Sequence, residues 1–73
     1  MSPKLPALSA PRLITILRKH GFREVRQSGS HVVLRHDDGR RTTVPVHSGR
    51  DLGKGLLRKI LRDANLEVED LAR

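Results

Sequence analysis

Two glycine-centred turns, Ser28-Gly29-Ser30 and Asp37-Asp38-Gly39-Arg40, cut the middle of this 73-residue chain into three short runs. Glycine supplies the positive φ that tight hairpins need. Each run therefore reads as a strand: Phe22 to Gln27, His31 to His36, and Arg41 to Val46. Phe22 and Val25 are the apolar members of the first, and the second is rich in β-branched and aliphatic residues. Pro45 removes a ladder donor and is expected to end the pairing. Two successive hairpins predict a three-stranded antiparallel meander.

Helical periodicity flanks this meander on both sides. Ser9 is a good N-cap, because its hydroxyl can satisfy a free backbone N–H, and Pro11 is tolerated in the first turn. Leu13, Ile14 and Leu17 form an apolar stripe, and Gly21 suits the position after the helix. A helix is predicted over Ala10 to His20. Beyond the third strand, Leu56, Leu57, Ile60, Leu61 and Ala64 share one face and Arg58, Lys59 and Arg62 the other. That pattern predicts a second helix over Lys54 to Ala64, stopped at Asn65. Leu66 to Arg73 reads as one further acidic turn, with Val68 and Leu71 able to pack back onto the core. Residues 1–8 read as a loose tail and residues 9–73 as a single domain. The order is α-β-β-β-α, an α+β fold. Two amphipathic helices and one small sheet are best satisfied with both helices on one face of the sheet. This arrangement resembles double-stranded RNA-binding domains.

One Phe and no Trp, Tyr or Cys leave an aliphatic core with no disulfide and no cysteine-bound zinc. Such a core is too thin for an enclosed cofactor pocket, so no cofactor is expected. No stretch approaches the ~20 apolar residues of a membrane span, and the start of the chain does not read as a signal peptide. The cytoplasm is the expected location. Charge speaks to partners. The chain carries 15 Lys and Arg against 8 Asp and Glu, a net charge of +7. The excess lies in residues 1–62, while the last eleven residues are acidic on balance. A small basic body of this kind meets polyanions, and nucleic acid is the usual one. Arginine outnumbers lysine, which suits bidentate contact with phosphate.

Of the four histidines, His20 sits at a helix end, where a cation suits the dipole. His36 adjoins a turn and is expected to be exposed. His47 lies in the loop after the third strand. His31 differs, because it opens the second strand directly after Gly29 and Ser30, where a glycine allows close approach. Alternation places His31, Val33 and Arg35 on one face and Val32, Leu34 and His36 on the other. Val32 and Leu34 are the better core pair, so His31 and Arg35 are expected on the open face. A neutral imidazole can take a proton from a ribose 2′-hydroxyl, and a guanidinium can neutralise the phosphate. No metal is required for this. Alone, a histidine at a strand start is more often structural.

Other motifs fail. Gly49, Gly53, Lys54 and Gly55 are one residue short of a phosphate loop, and Gly55 stands where Ser or Thr is needed. Glu67, Glu69 and Asp70 have no matching His or Cys and read as a solvated face. The lack of aromatic residues argues against binding single strands by base stacking.

The run Gly21-Phe22, then Val25-Arg26-Gln27-Ser28-Gly29-Ser30-His31, resembles the signature of HicA-type toxins, the ribonuclease partners of type II toxin–antitoxin pairs. Thr43-Val44-Pro45 with His47, followed by Leu56-Leu57-Arg58-Lys59-Ile60-Leu61, resembles the closing half of the same family. The resemblance spans about Ser9 to Leu66. It implies metal-independent cleavage of mRNA, a HicB-type antitoxin that covers the active site, and a catalytic role for the histidine of Gly-Ser-His, here His31. It does not identify the general acid. Arg35 and His47 are the candidates, with Ser30 in support. Arg26, Gly29, Arg58, Lys59 and Arg62 are the expected RNA contacts. Two other readings fit the same charge: a double-stranded RNA-binding module without catalysis, and a subunit whose basic face docks an acidic protein.

Overall fold

The computed structural model describes residues 5–47 and 49–72, with the side chain of residue 72 left out. Helix α1 (Ala10–Lys19) is followed by strands β1 (Phe22–Ser28), β2 (His31–His36) and β3 (Arg41–Pro45), then helix α2 (Lys54–Ala64) and a short 3₁₀ helix (Val68–Ala72). The strands form one antiparallel sheet in the order β1-β2-β3. The α-β-β-β-α order is the expected one. Element ends differ from the sequence reading by a residue, the usual uncertainty at frayed ends.

Local chemistry accounts for the ends. Ser9 caps α1 by accepting the Arg12 N–H at 3.3 Å. Gly21 follows the helix with φ +93°. Asn65 closes α2 in the left-handed region at φ 54°, a conformation asparagine tolerates better than most residues. Arg40 binds the end of α2 as well. Its guanidinium donates to the Ala64 carbonyl and lies over the Phe22 ring, 5.1 Å from its centroid.

Both helices pack against the same layer. The core joins Leu13, Ile16 and Leu17 of α1 to Val32, Leu34 and Val44 of the sheet and Leu57 and Ile60 of α2. Each such side chain contributes about 1.5–3 kcal/mol when fully buried. The shortest dimension of the molecule, 18 Å, leaves room for one helix layer on one sheet. Leu71 of the 3₁₀ helix is buried against this core and Val68 packs on it.

The structure adds to the sequence reading at three places. The first is the N-terminal segment. Residues 1–4 lie outside the described residues, but Leu8 is buried in the core and Leu5 packs against it. The Leu8 carbonyl accepts the Leu52 N–H at 2.7 Å, and Ser9 bridges to Asp51. Second, β3 and its pairing with β2 end at Pro45 as expected, and the next N–H, of Val46, makes one further hydrogen bond, to the Ser30 carbonyl in the β1–β2 turn at 2.6 Å.

Third, Val25, one of the two apolar residues of β1, is 52% exposed. The β1–β2 register pairs Glu24 with Leu34 and Arg26 with Val33, leaving Val25 as the extra residue of a β-bulge. Because side chains alternate with period two, one inserted residue reverses the facing of everything after it. Arg26 and Ser28 are thereby carried to the face away from the helices. Val25→Lys should shift unfolding free energy by less than about 0.5 kcal/mol, as surface substitutions do. Phe22→Ala should cost about 3–5 kcal/mol. Urea denaturation measures both, and a large loss in Val25→Lys would place Val25 in the core.

Candidate active site

Strand β2 is central, so its outward residues have neighbours on both sides. On the face away from the helices the register forms three rows: Ser28, His31 and Pro45; Arg26, Val33 and Thr43; and Arg23, Arg35 and Arg41. His31, Arg35, Arg26, Arg23 and Arg41 are all exposed. His31 therefore stands on the open face, as alternation predicts. Val33 lies on this face yet is buried, outside the core cluster. On the opposite face Glu24 turns toward α1 and pairs with Arg18 at 2.6 Å.

His31 emerges from a turn built for access. Gly29 has φ +59° and no atom near where a side chain would stand. Ser30 is half-buried, and its carbonyl holds the first residue of the loop that carries His47. His47 thus springs from the same end of the sheet as His31. Two clefts of about 560 and 170 Å³ flank this loop, and His47, Arg50 and Asp51 line both. His31 lines neither, so the clefts belong to the His47 side.

The structure groups the expected site residues unequally. Arg26 is the diagonal cross-strand neighbour of His31, a separation of roughly 7–8 Å. Arg35 lies four residues along β2, roughly 13 Å away at the usual rise. Arg58, Lys59 and Arg62 are exposed on α2, in the layer behind the sheet. Lys59 is already paired with Asp63 at 3.0 Å, and Asp63 also accepts from the Thr42 hydroxyl at 3.2 Å.

His36 departs from expectation. It is half-buried, meeting Phe22 edge-on with ring centroids 5.3 Å apart. A side chain at Gly21 would strike its Nε2. Its Nδ1 lies 3.1 Å from both the Asp38 N–H and Asp38 Oδ1. A neutral ring accepts from the first and a protonated ring donates to the second. Either way the ring belongs to the hairpin scaffold. Arg23 and Arg41 were missed by the sequence reading, and their signal was the pairing register rather than any motif.

The family model described as HicA toxin of bacterial toxin-antitoxin matches residues 10–66. The chain belongs to the HicA toxin family. No curated protein matches it significantly. The HicA match takes in both helices and the whole sheet, with His31 and all three rows of the open face. A HicA toxin is one half of a toxin–antitoxin system, so an antitoxin is its partner. Among the described residues no helix is long and apolar enough to cross a membrane, and no three metal-ligating side chains cluster.

The hairpin that sets Arg35 beside Arg41 rests on Asp38. Its carboxylate accepts the Arg40 backbone N–H at 3.0 Å and the guanidinium at 2.8 Å. The backbone hydrogen bond first, then the guanidinium, hold its pKa below the usual carboxylate value. A lowered folded-state pKa contributes stability that is present above the unfolded value, about pH 4, and is lost as pH falls through the folded value. The melting temperature of the wild type should therefore fall more steeply below about pH 4 than that of Asp38→Asn. Parallel profiles would remove Asp38 from the acid response.

Proposed function

We propose that this HicA toxin is an endoribonuclease that cleaves mRNA in the cytoplasm without a metal, with His31 as its general base and a HicB-type antitoxin as the partner that covers the site. The observation that carries the reading is the exposed imidazole of His31 on the open sheet face, with Arg26 diagonal to it. His31 takes the proton of a ribose 2′-hydroxyl. The 2′-oxygen attacks the adjacent phosphorus, the bond to the 5′-oxygen breaks, and that oxygen takes up a proton as it leaves. Imidazole suits the first transfer near neutrality. A guanidinium offsets the charge that builds on the phosphate, and Arg26 is better placed for this than Arg35.

The general acid must reach the same phosphodiester. Arg35 is separated from His31 by two rows, and a guanidinium gives up its proton too reluctantly for the task. His47 fits better, since its loop is tied to Ser30 beside His31. Gly29 leaves room for the RNA backbone, and Ser30 supports the position of the ring. Arg58, Lys59 and Arg62 add contacts with more distant phosphates. The exposed basic side of α2 also favours a second reading, duplex RNA binding without cleavage.

Purified protein should cleave mRNA in excess EDTA. His31→Ala should reduce the rate by about 10²–10⁴-fold with an unchanged circular dichroism spectrum. Cleavage by His31→Ala at the wild-type rate would overturn the assignment. RNA that stays intact with folded wild-type protein would favour the binding module.

A further inference from the structure

The third row of the open face is an electrostatic anomaly. Arg23 pairs in register with Arg35, and Arg35 with Arg41. Like charges directly opposite on neighbouring strands destabilise a sheet. Arg23 is relieved by Asp37 at 2.8 Å. Arg35, Arg41 and the adjacent Arg26 make no ion pair among the described residues. Three arginines thus span the sheet, about 10 Å across two interstrand spacings, with no internal carboxylate to balance two of them.

We infer that Arg35 and Arg41, with Arg26 and Arg23 beside them, form a phosphate track that carries a single RNA strand across the open sheet face, away from the scissile bond at His31. The inference rests on the ribonuclease reading and extends it to the path of the substrate. Arg26 lies between the His31 row and the arginine row, so cationic contacts continue along the roughly 13 Å that separate them. Guanidinium forks match phosphate geometry, and phosphates between the arginines turn their mutual repulsion into attraction.

The arginine row suits a polyanion better than a protein. Interfaces between proteins have apolar or aromatic centres, and Val25 is the one large apolar side chain exposed among the described residues. The single aromatic residue, Phe22, is buried in the core. Bases therefore have no Phe, Tyr or Trp ring to stack on, and recognition runs through the backbone with weak sequence preference.

Binding can be separated from cleavage in the His31→Ala background. A fluorescein-labelled single-stranded RNA of mixed sequence is titrated at several salt concentrations by anisotropy. Adding Arg35→Gln and Arg41→Gln should weaken binding and flatten the log–log salt slope by about 1.4, since each lost contact with a single strand contributes about 0.7. Arg12→Gln with Lys19→Gln removes the same charge from exposed positions on α1 and should change the slope by less than half as much. The melting temperature of the sheet variant should hold or rise, because a like-charge pair is removed. Equal effects of the two double variants would overturn the track, as would His31→Ala protein that binds no RNA. Loss of antitoxin capture with RNA binding intact would assign the row to a protein and also overturn it. Cleavage by His31→Ala protein at the wild-type rate would instead overturn the catalytic role of His31, leaving the slopes to decide the track.

Discussion

The structure depends on β2 being hydrogen-bonded along both edges. A strand in that position has one face for the core and one for the solvent, and its alternation divides the two. Val32 and Leu34 draw both helices onto one side. The same pairing then obliges His31 and Arg35 to face the other way. Core and candidate site are two readings of one six-residue segment. The aliphatic side chains that stabilise the fold are thus also what hold the imidazole outward, away from the two clefts beside His47.

Most of the fold was legible because its signals are local. Turn glycines, the Ser9 cap, the Asn65 stop and two amphipathic stripes each act within a few residues. The position of His31 was legible for the same reason. The bulge was not. Regular alternation from Phe22 would set Arg26 and Ser28 on the core side, and only the pairing with β2 shows Val25 to be an extra residue. The row of arginines was hidden likewise, because Arg23, Arg35 and Arg41 are far apart in the chain and meet through register. His36 deceived by its place beside a turn, where the half-buried ring is held against Phe22 rather than solvated. The loop carrying His47 could be placed only through the hydrogen bond from Val46 to Ser30.

The sites of charge follow from the same geometry. The basic side chains of α2 and those of the open face lie on opposite layers, so their sum in the composition conceals two separate surfaces. Lys59 and Arg18 are engaged by carboxylates within the fold, whereas Arg26, Arg35 and Arg41 are not. Net charge points to a polyanion, and the uneven pairing of the cations separates the open face from the rest of the basic surface.

A three-stranded sheet has two free borders, each able to recruit a further strand from a neighbouring molecule. Here the bulge at Val25 interrupts one border and the missing N–H of Pro45 interrupts the other. Charged side chains occupy much of what remains. Both devices oppose edge-to-edge polymerisation, so the chain can keep an entire sheet face bare without templating its own aggregation.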